Sequence, residues 1–100
     1  MSEVLAPVAN RFESGATLTH ASAKAALAAG LQRIEAGASS VDCASLVQFD
    51  SSALAVLLAW KRAAQTRGVE FVIVNLPAGL ASLAQAYGVD TLLCRPELAL

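Results

Sequence analysis

The side chains on which chemistry would rest are His20, Asp42, Cys43, Asp50, Ser51, Ser52 and Cys94. Asp50-Ser51-Ser52 stands directly before the apolar run Ala53 to Trp60, so a carboxylate and two hydroxyls meet the mouth of a helix. Asp50 or Ser51 can cap the free N–H groups of the first turn. The same positive helix end would accept a phosphate added to either serine. A serine nucleophile needs a base within hydrogen-bond reach, and His20 is the single histidine. It falls near the start of the first helix, where a solvated or capping role is the expectation. Asp42 and Asp50 both fall at strand ends near the second helix. Paired carboxylates can bind a metal or hold a hydroxyl, but no histidine, lysine or phosphate-cradling glycine loop accompanies this pair. Capping and solvation are the expected uses, with no catalytic residue, no metal and no cofactor. Cys43 and Cys94 are too far apart for a Cys-x-x-Cys motif, and both read as small buried hydrophobes.

Alternating hydrophobic periods lay out the elements that position these residues. Phe12, Ala16 and Leu18 suggest a hairpin strand, or an edge strand with a bulge at Ser14-Gly15. Thr17 or Thr19 then starts a helix whose face is Ala23, Leu27, Gly30, Leu31 and Ile34, until Gly37 stops it. Ser40 to Cys43 reads as a short buried strand, and Leu46 to Phe49 as the loop leading to Asp50. The second helix ends near Arg67-Gly68. Val69 to Val74 is the clearest strand and suits an interior position. Pro77 opens a third helix with Leu80, Leu83, Ala84 and Tyr87 on one face, and Gly88 closes it. Val89 to Leu93 could add a last short strand. Strands alternating with helices imply parallel crossovers and an α/β layer fold.

One hundred residues suit one domain, 1–100, with its core over about 12–93. The chain is 56% hydrophobic and 15% charged, which argues against disorder and leaves apolar surface for a partner. Seven basic against eight acidic residues, with no basic cluster, give nucleic-acid binding little support. The longest apolar run, Ala53 to Trp60, is far short of the roughly 20 residues of a membrane span. With an acid near the N-terminus in place of a signal peptide's basic region, a cytoplasmic location without membrane insertion is expected.

On a helical wheel, Ala53, Leu54, Leu57, Leu58, Trp60 and Ala64 of the second helix face the sheet. Ser51, Ala55, Ala59, Arg62 and Thr66 fall on the other side, with Ser52 and Ala63 beside them. Small residues at four-residue spacing let another chain approach closely, so this face is a candidate docking surface with Arg62 as its charged end. Plain helix propensity of alanine explains the same pattern. Lys61 falls within the apolar arc, and its ammonium is expected in water.

Val41-Asp42-Cys43-Ala44-Ser45-Leu46, Phe49-Asp50-Ser51-Ser52-Ala53-Leu54, Gly68-Val69-Glu70-Phe71 and Val74-Asn75-Leu76-Pro77 resemble the STAS domain. This domain occurs in bacterial anti-sigma factor antagonists and in the small subunit of the Mla phospholipid-transport ATPase. The resemblance runs from about Phe12 to Leu93 and implies the STAS (anti-sigma factor antagonist-like) fold, a small mixed β-sheet with helices on one side. It also implies a protein that binds and regulates rather than catalyses. In the antagonist branch the position of Ser51 is phosphorylated by an anti-sigma factor kinase that docks on the helix. In the transporter branch the same position contacts the ABC transporter ATPase subunit, here a MlaF-like protein. Together with the smooth face read from the wheel, this makes Asp50, Ser51, Ser52, Ala55, Ala59 and Arg62 the candidate partner-binding site, with Ser51 or Ser52 as candidate phosphoacceptor. Ala53 stands where many members carry glycine, and no C-terminal helix of the antagonist kind follows the last strand. The short chain, rich in alanine and leucine, resembles the transporter branch more. That branch would place the protein in the cytoplasm, held at the inner membrane through the transporter complex.

Overall fold

Phe12, Val41 and Ile73 define the sheet, because each is the central residue of a three-residue strand and the register puts them in one row. The computed structural model describes residues 11–89 and 92. Strands β1 (Arg11–Glu13), β3 (Ser40–Asp42) and β5 (Val72–Val74) form a sheet in the order β1-β3-β5. A second ladder joins β2 (Thr17–Leu18) to β4 (Gln48–Phe49). Every described ladder is parallel. Parallel strands require crossovers, and α1 (Ala23–Glu35) and α2 (Ser51–Thr66) supply them. A third helix, α3, spans Ala78–Ala86.

The α/β layer expectation holds, while several local readings need correction. Phe12 to Leu18 is not a hairpin. The chain makes two short strands, each paired in parallel with a strand far along the sequence. Gln48-Phe49 is strand β4 rather than loop, since Leu18 and Thr17 pair with it. That pairing also withholds Thr17 from α1, which begins only after Ser22. The Ser22 hydroxyl accepts the Thr19 N–H at 3.0 Å, so it stabilises the turn before the helix. Gly37 ends α1 as expected, with a φ of 111° that a side chain would strain. The strand expected over Val69 to Val74 is limited to its last three residues, and β3, not β5, is the central described strand. Tyr87 lies past the last residue of α3 as its C-cap and is 60% exposed, whereas Leu80 and Ala84 are buried. The strand expected over Val89 to Leu93 lies largely outside the described residues.

The core sits between the sheet and the helices. Trp60 is 1% exposed and meets the Phe12 ring edge-on at 5.1 Å. Burying an aromatic of this size stabilises by about 4–6 kcal/mol at about 25 cal/mol per Å². Its indole N–H donates to the Leu27 carbonyl at 3.2 Å, which satisfies the one polar group it carries inside. Gly30 of α1 lies against that indole, and a Cβ there would overlap the ring. Lys61 corrects another expectation: it is buried, and its ammonium donates to the Phe71 carbonyl at 2.8 Å. The carbonyl just before β5 offers an acceptor within reach of the lysine stem, so the charge turns inward.

Candidate functional site at the head of the second helix

The β2–β4 ladder delivers the chain to Asp50, whose backbone N–H reaches the Leu18 carbonyl at 3.3 Å. Asp50 is extended (φ −139°, ψ −165°), as an N-cap residue should be. One carboxylate oxygen accepts the Ser52 N–H at 2.8 Å, and the other accepts the His20 N–H at 3.0 Å. Asp50 therefore caps α2 and ties it to the turn that leads into α1. The His20 N–H, followed by the Ser52 N–H, holds the Asp50 carboxyl below the usual carboxylate range. His20 makes this contact through its backbone. Among the described residues no hydrogen bond links His20 to Ser51 or Ser52.

With Asp50 so engaged, Ser51 is the first residue of α2 and is exposed, and Ser52 is half-buried beside it. Ala55 and Arg62 are exposed and Ala59 is half-buried. Asp50, Ser51, Ser52 and Ala55 gather at the helix head, while Arg62 lies about three turns further along the axis. Thr66 joins this side and returns its hydroxyl to the Arg62 carbonyl at 3.0 Å. Val56, not assigned to the inner face by the wheel, is buried, and Leu58 is only half-buried.

The second carboxylate belongs to a different structure. Asp42 accepts the Asn75 side-chain amide at 3.0 Å and the Ala44 N–H at 2.9 Å, so it joins the ends of β3 and β5. The Asn75 amide is the main reason its carboxyl is also lowered. Asn75 itself sits at a φ of 60°, a left-handed position that asparagine tolerates better than most residues. Asp42 and Asp50 thus close separate turns and do not form one acid pair. Cys43, next to Asp42, is fully buried, and burial pushes its thiol up to about 11. Among the described residues no group of three or more His, Cys, Asp or Glu is placed to hold a metal.

A hollow adjoins the helix head, lined by Ala23, Lys24 and Leu27 of α1 and by Ser52, Ala55 and Val56 of α2. The sequence reading of the site missed its α1 side. The signal was present in the spacing of Ala23 and Leu27, but only the parallel packing of α1 on α2 brings them beside Ser52.

A family model described as Mlab, STAS domain, matches residues 14–94. The chain belongs to the STAS domain family. No curated protein and no solved structure matches it. The three described helices and parallel ladders accord with the STAS fold, and STAS domains are in general non-catalytic. In this STAS domain the Asp50-Ser51-Ser52 segment lies within the matched region, at the start of its longest described helix.

Proposed function

We propose that this STAS domain is a non-catalytic subunit that binds and regulates the cytoplasmic ATPase of a phospholipid-transporting ABC system of the Mla kind. Its role there is in maintaining lipid asymmetry. The observation that carries this reading is the head of α2, where Asp50 is fixed by two backbone N–H groups while Ser51 and Ala55 stay exposed. A rigid, smooth helix face suits docking, because little side-chain freedom is lost when a partner covers it. The Mlab description of the matching family model favours the transporter branch. The ATPase would hold the domain at the inner membrane. No helix among the described residues is long and apolar enough to cross a membrane itself. Pull-down with the ATPase subunit tests the reading. Wild type is expected to be retained and Ala55→Glu lost at unchanged helicity; absence of wild-type retention removes the proposal.

A second reading rests on the exposure of Ser51 at the first position of α2. There an anti-sigma factor kinase would reach its hydroxyl, and a phosphate would gain from the helix end while placing like charge beside Asp50. Intact mass after incubation with such a kinase and ATP decides it. Phosphate on Ser51 or Ser52 supports an anti-sigma factor antagonist, and an unmodified chain argues against one.

A further inference from the structure

The helices α1 and α2 run side by side in the same direction, as crossovers of parallel strands do. Midway along, Gly30 lies against Trp60, and hollows open toward both ends of the outer seam. The hollow by Ser52 has a volume of about 300 Å³. A second, of about 280 Å³, is bounded by Leu31, Ile34 and Glu35 of α1 and by Ala63, Thr66 and Arg67 at the end of α2. Half-buried Leu27 and Leu31 form one wall of this seam, and alanines 55, 59 and 63 form the other. The hollows are roughly 13–17 Å apart along the axis, because their linings are offset by about nine residues on α1 and eleven on α2.

Charge indicates what fits there. Lys24 and Arg67 line the hollows and Arg62 is exposed on α2 between them, against Glu35 and, at the head of the seam, Asp50, although the chain as a whole carries −1. The carboxylate of Asp50, at the head of the seam, is turned into the N–H groups of His20 and Ser52. Arg67 donates one nitrogen to the Glu35 carbonyl at 3.2 Å. With three cations against two carboxylates, one of them turned into backbone N–H groups, the rim is positive by one charge around an apolar floor.

We propose that the α1–α2 seam seats an acidic amphipathic helix of the partner, about four turns long. That helix sets one apolar side chain into each hollow and its carboxylates against Lys24, Arg62 and Arg67. The alanine wall allows its backbone to approach α2 closely. This deepens the docking reading above and rests on it for the identity of the partner. It also connects to Ser51, because a phosphate there would stand at the rim and repel the acidic helix.

Two arms test the proposal with the full chain. In the first, calorimetry measures binding to the ATPase subunit at low and high salt. The Kd is expected to rise with salt, and Lys24→Glu combined with Arg62→Glu to weaken binding about tenfold or more. Glu70→Lys, exposed before β5, should leave it unchanged. In the second arm, amide resonances are followed while a synthetic helical peptide is added, with leucines about eleven residues apart on one face among glutamates. Shifts are expected at Lys24, Leu27, Ala55 and Ala63, and not with the lysine counterpart of the peptide. ATPase binding that ignores the double reversal overturns the seam and leaves the docking reading standing. Seam shifts with the acidic peptide but no ATPase binding do the opposite. Silence in both arms, or seam shifts caused instead by anionic phospholipid vesicles or by self-association, overturns the acidic-helix proposal.

Discussion

Gly30 and Trp60 are a matched pair: the bare glycine of α1 leaves the space that the indole of α2 occupies, and Leu27, one turn earlier, accepts the indole N–H. Alanine at position 30 would gain about 1 kcal/mol in helix propensity. The overlap of its Cβ with a fully buried ring outweighs that, because backbone and ring must both shift. Gly30→Ala is expected to lower stability by about 1–3 kcal/mol net. Urea denaturation followed by Trp60 fluorescence reads this directly, and a variant as stable as wild type would disprove the close fit.

Asp50 and Asp42 predict a response to acid. Both carboxyls are lowered, Asp50 chiefly by the His20 N–H and Asp42 chiefly by the Asn75 amide. A lowered folded-state value means each contributes stability that is complete above the unfolded value. That contribution drains away as the pH falls from about 4 through the folded value. The gap in Tm between wild type and Asp50→Asn should be widest near neutrality and narrow steadily as the pH is taken below about 4. A gap independent of pH would show that the charge of Asp50 does not matter to the cap.

Lys61 is a buried cation with its ammonium on the Phe71 carbonyl. Lys61→Met keeps most of the stem and deletes the donor, leaving that carbonyl without it. A loss of about 1–3 kcal/mol is expected, again from urea denaturation. Equal or greater stability in the methionine variant would mean that desolvating the ammonium costs as much as its bonds return.

Cys43 should be inert in the native protein. With its thiol near 11, only about one molecule in a thousand carries a thiolate at pH 8, and the residue is fully buried. In a Cys94→Ser background, a thiol reagent is expected to label Cys43 only after denaturant is added. Rapid labelling of the folded chain would contradict the burial.

The parts legible in the sequence were those written in local chemistry. Asp50 before an apolar run announces a cap, Gly37 a helix stop, and the alternation of elements the layered fold. What stayed hidden depends on partners distant in the chain. Gln48-Phe49 is too short to carry a period, and it becomes a strand because Thr17-Leu18 lies alongside. Phe12 to Leu18 alternates as a strand should, yet periodicity cannot reveal that its partners are parallel and remote. The place of Lys61 in the apolar arc predicts an ammonium in water, because nothing near it in sequence indicates the Phe71 carbonyl as its acceptor. At the candidate site, Asp50, Ser51, Ser52 and Ala55 were visible as one helix start. Lys24 and Leu27 were not, because they reach it only through helix packing.

The parallel ladders also govern how the chain acquires its shape. Arg11 meets Ser40, and Ser40 meets Val72, each across about thirty residues. No strand pair in this sheet can zip from a tight turn, so each must wait until the helix between its strands has formed and folded back. During synthesis β3 therefore emerges with one edge unpaired and keeps it so until Val72 to Val74 has left the ribosome. A nascent chain halted within α2 would present that bare edge to other chains, making the interval before β5 docks the one most exposed to aggregation.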